Sequence, residues 1–317
     1  MPRRAPLTAL LSSNLFTQSP FERRILIVTV ILIILMVLSI IYTVALGRRA
    51  SLPVLFERGP KTLTGFAIGF VTDFLDTLGI GSYLTTTALF RATRYLDDDR
   101  HLPGTLNVGH TLALLAESLF FITAVQVEPL TLGSMVLAAT IGGQVGSHIV
   151  SRLNRQLILR TISIAMLVTS TLMLSRITGL VDSLGSGNTA MGLSGLALLI
   201  GVVGNFILGV LMSAGVGLYA PCMVMVYLLG MNPLAAFPIM MTSCAALAPV
   251  VSLTFIKTES YHKKGLGWFI VGGVIGVIIA ATLVKSLSLD VLSWIIVFVG
   301  FYTALTLFRA SQKVEPA

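Results

Sequence analysis

Eight long apolar stretches constrain the fold of this chain more than any other feature. They lie near residues 25–46, 105–125, 131–150, 157–175, 193–215, 237–256, 266–284 and 291–307, and two shorter ones, broken by glycine, lie near 65–90 and 218–229. A helix needs about 20 apolar residues to cross ~30 Å of hydrocarbon. With 55% hydrophobic and 11% charged residues, the chain has too little polar surface for a water-soluble fold. The sequence therefore predicts an all-α integral membrane protein.

The first apolar stretch is predicted to be a retained anchor helix, within an N-terminal segment that covers residues 1–61. It is too long for the apolar core of a secretory signal peptide, and basic pairs flank it on both sides. A cleaved signal peptide is the alternative. The net charge of +8 comes mainly from short loops, where Lys and Arg orient helices, so no nucleic-acid partner is expected. Cys222 and Cys244 have apolar neighbours and no metal-ligand spacing occurs, so no metal or cofactor is expected.

The rest of the chain is predicted to be a duplicated unit. The first repeat covers 62–178, a linker covers 179–192, and the second repeat with a short C-terminal tail covers 193–317. A shift of about 136 positions aligns identical residues in the two repeats, and the aligned pairs are Gly65 and Gly201, Gly79 and Gly215, Gly81 and Gly217, Tyr83 and Tyr219, Pro103 and Pro238, Phe121 and Phe255, Leu132 and Leu266, and Gly142 and Gly276. Transporters are commonly built from such repeats, with the substrate site where the halves meet. Repeats that only stabilise packing are the alternative.

The loop charges predict that the two repeats are inverted relative to each other. Loops 126–131 and 230–236 carry no Lys or Arg, whereas loops 91–101, 152–160 and 257–264 each carry three. Basic loops stay in the cytoplasm. In the first repeat, the first and third loops are therefore cytoplasmic. In the second repeat, only the second loop is cytoplasmic, which is the pattern expected of an inverted copy.

An inverted repeat requires an odd number of crossings per half, and three long helices after each glycine motif supply it. Each motif segment must then enter and leave on one side. The arm from Gly65 to Leu78 is only about 21 Å long, so 62–90 is predicted to be a re-entrant hairpin with its tip at Gly79 to Gly81. Residues 193–214 are long enough to cross alone, so a broken, fully crossing helix is the alternative in the second repeat. If the first hairpin opens to the cytoplasm, the N-terminus lies outside.

The two glycine motifs, LGIGSY at 78–83 and AGVGLY at 214–219, predict a substrate site. Glycine lets the backbone turn and lets a solute approach closely, and unwound backbone at membrane depth is tolerated only beside protein or water. Free amide donors at the helix starts after Ser82 and Leu218 would suit a small anion. The residues predicted to hold it are Gly79, Ile80, Gly81, Ser82, Tyr83, Thr85, Thr86, Gly215, Val216, Gly217 and Tyr219. Glycines that serve only helix packing are the alternative.

Five polar residues in apolar segments are predicted to form a coupling or polar path. Asp73 and Asp76 lie one helical turn apart, and two carboxylates this close need a proton or a cation between them. Asn107, His110 and Glu117 follow at i, i+3 and i+10, which places them along one helix face. Local capping by Asp73, and an internal hydrogen-bond network along the trio, are the alternatives.

An enzymatic activity is not expected. The stretch Gly192-Leu193-Ser194-Gly195 imitates the serine motif of rhomboid proteases, but the only histidine after it, His262, lies in a lysine-rich loop. An intramembrane aspartyl protease needs its two carboxylates on separate helices. Asp73 and Asp76 lie on one.

The two glycine-motif segments resemble the TauE/SafE sulfite-exporter family of membrane permeases. In the first half the resemblance is carried by GFAIGFVTDFLDTLGIGSYLTTTALFR and LPGTLNVGH, and in the second half by GVVGNFILGVLMSAGVGLYAP. The resemblance covers roughly residues 62–309. It implies a multi-pass carrier in the bacterial cytoplasmic (inner) membrane for small sulfur-containing anions such as sulfite or organosulfonates. Ser82, and Leu218 in the second copy, stand where family members commonly continue a glycine tract.

The sequence therefore predicts a secondary transporter, with an N-terminal anchor helix and two inverted repeats, each a Gly-tipped helix pair followed by three transmembrane helices. It would export a small anion by alternating access, with proton coupling through the polar path. The alternative is a non-transporting membrane sensor or assembly protein that retains the fold. The expected partners are a small anionic substrate and the lipid bilayer, with a homodimer left open.

Overall fold

The computed structural model describes residues 20–78, 80–122, 127–180, 183, 187–283 and 290–312. It is all-helical over these residues, as the sequence predicts. The α-helices are α1 (Pro20–Arg49), α2 (Leu52–Leu55), α3 (Thr62–Thr77), α4 (Ser82–Thr93), α5 (Leu102–Phe121), α6 (Pro129–Val150), α7 (Arg155–Ile177), α8 (Gly195–Ser213), α9 (Tyr219–Leu228), α10 (Ala236–Thr258), α11 (Leu266–Leu283) and α12 (Asp290–Gln312).

The lengths and exposed faces of these helices confirm a multi-pass membrane protein. Five helices in the described part are long and apolar enough to cross a bilayer: α1 from Val28 onwards, α6, α7, α8 and α10. Large apolar side chains on their outer faces, such as Ile141 and Ile164, are exposed. In water this surface would be costly, whereas lipid solvates it.

Helix α10 forms the centre of the bundle, because 89% of its most apolar window is buried inside the protein. It packs against α5, α6 and the anchor helix α1. Around it, α3 lies along α11, α8 lies along α6, and α12 lies along α7. The anchor helix is fixed to this core by Tyr42, whose hydroxyl donates to the carbonyl oxygen of Val108 over 2.6 Å.

Glycines allow the closest of these helix pairs to form. In the α6–α8 pair, a Cβ atom on Gly142 would overlap the carbonyl oxygen of Phe206, and one on Gly209 would overlap that of Ala139. In the α3–α11 pair, Gly69 meets the carbonyl oxygen of Phe269 in the same way. Backbones approach this closely only where no side chain separates them, which is how helices associate in lipid.

We expect Gly142→Ala to lower the free energy of unfolding by about 1–3 kcal/mol, because the new methyl group forces α6 and α8 apart. The control is Gly133→Ala on the same helix, where a Cβ atom would meet nothing within 4 Å. There alanine should be neutral or stabilising by up to about 1 kcal/mol. Thermal unfolding in detergent measures both variants. Equal unfolding midpoints for the two would contradict this account of the packing.

The loops 94–101, 151–154 and 259–265 lie together at one end of the bundle, which we call the basic end. Arg155 pairs with Asp99 across 2.7 Å, which joins the first two loops. The backbone N–H of His262 donates to the hydroxyl of Thr105 over 2.9 Å, which brings in the third. The ammonium group of Lys61, just before α3, donates to the carbonyl oxygen of Tyr95, just after α4, so α3 begins where α4 ends.

The start of α8 and the end of α9 lie together at the opposite end of the bundle. The side-chain amide of Asn188 donates to the carbonyl oxygen of Tyr227 over 2.9 Å. The backbone N–H of Asn232 donates to the carbonyl oxygen of Ala190 over 2.8 Å. The start of α6 lies at this end as well, because the backbone N–H of Leu193 donates to the hydroxyl of Thr131.

Stability is expected to fall between pH 7 and pH 5 because of His262. Burial in the loop lowers the pKa of His262 below its usual 6.5, although Asp97, with a carboxylate oxygen 3.8 Å away, opposes this. A folded pKa below the unfolded one stabilises the fold above about pH 6.5, and that stability is lost as the pH falls through the folded pKa. Unfolding midpoints at pH 5, 6, 7 and 8 test it. His262→Gln should flatten the fall, whereas His148→Gln, at an exposed site, should not.

Candidate functional site

Each glycine motif lies at a break between two helices. The first break, residues 78–81, separates α3 from α4, and the second break, residues 214–218, separates α8 from α9. Gly81 has a φ of 93° and Gly215 a φ of 96°, in the left-handed region that side chains rarely adopt. Glycine is therefore strongly favoured at both positions. Gly79, the predicted start of the first tip, lies outside the described residues.

The two breaks lie side by side inside the bundle. A Cβ atom built on Gly81 would be 3.9 Å from the ring of Tyr219, and one built on Gly217 would be 3.8 Å from Cβ of Tyr83. A partly enclosed cavity of about 30 Å³ touches both breaks. Since a water molecule needs roughly 10–15 Å³ of such space, the cavity of about 30 Å³ has room for about two or three waters.

The predicted substrate residues divide into those that reach this cavity and those that do not. The residues that line it are Ile80, Gly81, Tyr83, Gly217 and Tyr219. The residues that do not are Ser82, Thr85, Thr86, Gly215 and Val216. The hydroxyl of Thr85, for example, donates to the carbonyl oxygen of Ser82 within its own helix over 2.8 Å. A position within or next to a glycine motif therefore does not by itself bring a side chain to the cavity.

Helix α5 holds the tyrosine of the first motif near the basic end. The hydroxyl of Tyr83 donates to Oδ1 of Asn107 over 3.1 Å. Nδ2 of Asn107 donates in turn to the carbonyl oxygen of Ser213, just before the second break, over 3.3 Å. Asn107 thus connects both breaks from a position about 8 Å along α5.

Glu117 holds the tyrosine of the second motif further along the same helix face. The hydroxyl of Tyr219 donates to one carboxylate oxygen of Glu117 over 2.7 Å, and the hydroxyl of Thr77, just before the first break, donates to the other over 2.9 Å. Glu117 is 1% exposed, so this carboxyl group has no access to solvent. It is a second connection between the breaks, about 22 Å along α5.

His110 and Asp73 form a buried pair between these two connections. Nδ1 of His110 lies 2.6 Å from Oδ1 of Asp73, and its Nε2 lies 2.9 Å from the hydroxyl of Thr86. The other carboxylate oxygen of Asp73 has no hydrogen-bond partner in the described residues and faces Gly273 of α11. The trio of Asn107, His110 and Glu117 therefore lies along the α5 face that contacts both breaks.

Asp76 occupies the start of α4, and the expectation of a free donor at Ser82 is wrong. The backbone N–H and the hydroxyl of Ser82 both donate to the carboxylate of Asp76, over 2.9 Å and 2.6 Å. Asp76 can reach them because the first break folds α4 back beside the end of α3. A carboxylate at a helix N-terminus is favourable, so both donors of Ser82 are already satisfied within the chain.

Ionisable side chains concentrate beside the two breaks. Asp73, Asp76, Glu117 and His110 are all buried, and polar groups in a bilayer are costly enough to indicate a function. The hydroxyls of Thr77 and Tyr219 donate to Glu117, the hydroxyl of Thr86 lies 2.9 Å from Nε2 of His110, and His110 in turn contacts Asp73. In the described part of the chain, no group of three or more His, Cys, Asp or Glu side chains could hold a metal ion.

Arg176, which sequence reasoning missed, also lines the cavity between the breaks. It lies at the end of α7, at the end of the bundle opposite the basic end. The positive-inside rule predicts few basic residues at this end of the bundle. Arg176 is an exception to that rule, and the exception could have identified it from the sequence. The cavity thus lies between two unwound backbones, with Arg176 among its lining residues.

Comparison with protein-family models, with curated proteins and with solved structures gives no match to this chain. The TauE/SafE resemblance accordingly stays a prediction. What is known of this chain is its class: an all-helical, multi-pass membrane protein with two contacting helix breaks at its centre.

Proposed function

We propose that this chain is a secondary transporter that exports small sulfur-containing anions, such as sulfite or organosulfonates, across a bacterial inner membrane. The observation that carries the proposal is the contact between two glycine breaks, from separate halves of the chain, beside a cavity that Arg176 lines. Packing alone needs no unwound backbone in a membrane interior, whereas a solute site does.

The helix contacts support two repeats related by a pseudo-two-fold axis. Gly276 lies against the carbonyl oxygen of Phe70, and its counterpart Gly142 lies against that of Phe206, the counterpart of Phe70. The first arm of each half packs on the middle helix of the other half, as α3 does on α11 and α8 on α6. An exchange of this kind is expected of inverted repeats.

The ends of the arms support two re-entrant hairpins. Helix α3 starts and α4 ends at the basic end, while α8 starts and α9 ends at the opposite end. A segment that enters and leaves on the same side does not cross. We therefore favour a hairpin in the second half too, although α8 is long enough to span. The basic end would face the cytoplasm by the positive-inside rule, and the start of α1 would lie outside.

The anion would bind between the breaks. Because both donors of Ser82 already bond to Asp76, attraction would come from the start of α9, whose N-terminal dipole is positive, and Arg176 would add to it from the cavity lining. The cavity of about 30 Å³ is smaller than a sulfonate, so under this proposal the structure would be a closed state in alternating access. Separation of the breaks would open the site to one side.

Proton coupling would use the polar face of α5. Glu117 bonds to Tyr219 from one half and to Thr77 from the other, so a change in its charge would act on both breaks. Asp73 and His110 would relay protons beside it.

The test is flux in proteoliposomes with sulfite, a taurine-like sulfonate and sulfoacetate, with and without a pH gradient. Saturable flux of at least one of these anions is expected, together with its loss in Arg176→Gln. The control is Arg160→Gln, an exposed site at the start of α7. No flux and no binding of any of the three anions would overturn the proposal.

A second candidate is a non-transporting sensor or assembly protein with the same fold, and the small cavity favours it. Cysteine labelling decides between the two candidates. A Gly217→Cys variant should react with a water-soluble maleimide in a transporter that opens, and it should remain unlabelled if the breaks never separate.

A further inference from the structure

A second cavity, unrelated to the glycine breaks, opens at the basic end. It is an open cleft of about 1370 Å³ between the end of α4, the start of α7 and residues 302–306 of α12. Its charged lining residues are five arginines and three aspartates: Arg91, Arg94, Arg100, Arg152, Arg155, Asp97, Asp98 and Asp99. The cleft is too large to be explained by a single small oxyanion.

Three of these arginines form ion pairs within the chain, with two aspartates. Asp99 pairs with Arg91 over 3.3 Å and with Arg155 over 2.7 Å, which ties α4 to α7, and Asp98 pairs with Arg100 over 2.8 Å. These pairs build the walls of the cleft. They do not by themselves attract a ligand.

Arg94 and Arg152 have no such partner. In the described part of the chain, no carboxylate lies within ion-pair distance of either guanidinium, and both side chains are exposed. Arg94 ends α4 with a φ of 50°, in the left-handed region where glycine is the usual residue and another L-residue costs about 1–2 kcal/mol. Two uncompensated positive charges thus line one cleft at the membrane surface.

An apolar strip continues from the cleft along α12. Tyr302 lines the cleft and is 70% exposed, and Phe298, one turn closer to the membrane centre, is 66% exposed. Trp294, a further turn along, stacks on Phe298 with ring centroids 6.1 Å apart. A basic pocket joined to an exposed apolar helix face matches an amphiphile with an anionic head and a hydrocarbon tail.

We propose that the cleft binds the phosphate headgroup of an anionic membrane phospholipid, with Arg94 and Arg152 on the phosphate and one acyl chain along the Phe298 and Tyr302 face of α12. Basic pockets between membrane helices on the cytoplasmic side bind such headgroups. Guanidinium forks suit the oxygens of a phosphate. This site is independent of anion transport.

The test compares phosphatidylglycerol with phosphatidylcholine, each added to the full chain purified in a neutral detergent. Phosphatidylglycerol should raise the unfolding midpoint more than phosphatidylcholine, and native mass spectrometry should show it retained. The double variant R94Q/R152Q should bind it at least about tenfold more weakly, because each surface arginine contributes several-fold. The control R48Q/R58Q changes two exposed arginines outside the cleft and should bind normally.

Three results would each overturn the proposal. One is an equal rise of the unfolding midpoint of the wild-type chain with the two lipids, a result that does not depend on any variant folding. Another is unchanged retention of phosphatidylglycerol by R94Q/R152Q. The third is a full stabilising effect of glycerol 3-phosphate alone, which would identify the cleft as a site for a soluble anion.

Discussion

A Gly81→Val variant is expected to insert and fold but to lose at least about 99% of anion flux in proteoliposomes. Gly81 has a φ of 93°, which a β-branched residue adopts only with strain of roughly 1–3 kcal/mol. Its Cβ atom would already lie 3.9 Å from Tyr219, so the two methyl groups of valine would push the breaks apart. A loss of about 3 kcal/mol at the site corresponds to a flux reduced roughly a hundredfold.

Matched variants separate this effect from general damage. Gly133→Val places the same side chain on α6, where a Cβ atom meets nothing within 4 Å, and flux should stay near the wild-type level. Gly217→Ala should keep a substantial part of the flux, because Gly217 has no positive φ and its Cβ atom would be 3.8 Å from its nearest neighbour. Wild-type flux in Gly81→Val would show that the breaks are not the solute site.

A Glu117→Gln variant is expected to lose the stimulation of flux by a pH gradient, by at least about tenfold. Glutamine has nearly the same shape but cannot release a proton, so Thr77 and Tyr219 would stay near the side chain while its charge no longer changes. The measurement is flux with an imposed pH gradient divided by flux without one. Flux down an anion gradient should persist.

Two further variants make this result specific. Glu57→Gln changes an exposed carboxylate at the basic end and should leave the ratio unchanged. Tyr219→Phe removes one hydrogen bond to Glu117 but keeps the ring beside Gly81, so it should lower the ratio without abolishing downhill flux. A normal pH response in Glu117→Gln would exclude this carboxyl group from coupling.

Local signals in the sequence were sufficient for the helices. Long apolar stretches, such as 131–150 and 157–175, correspond to α6 and α7 within a few residues. The glycine motifs at 78–83 and 214–219 predicted the two helix breaks, because a left-handed backbone at Gly81 and Gly215 is available to few other residues. Such properties depend on a residue and its near neighbours in the chain.

Which donors are free to bind a solute depended on contacts between distant residues. Ser82 looked available in the sequence, yet Asp76 reaches it only because the first break folds α4 back on α3. Arg176 looked like one more basic residue at a helix end, and only the position of α7 beside both breaks brings it to the cavity.

The sequence alone determined that this chain lies in a membrane as a set of helices, and where those helices are interrupted, because apolar length and glycine act locally. Only the tertiary structure decided that α5 connects both breaks through Asn107 and Glu117, and that the cavity between them is nearly closed. Those facts depend on how closely backbones approach across the bundle. That distance is set by pairs such as Gly142 and Phe206, which lie far apart in the chain.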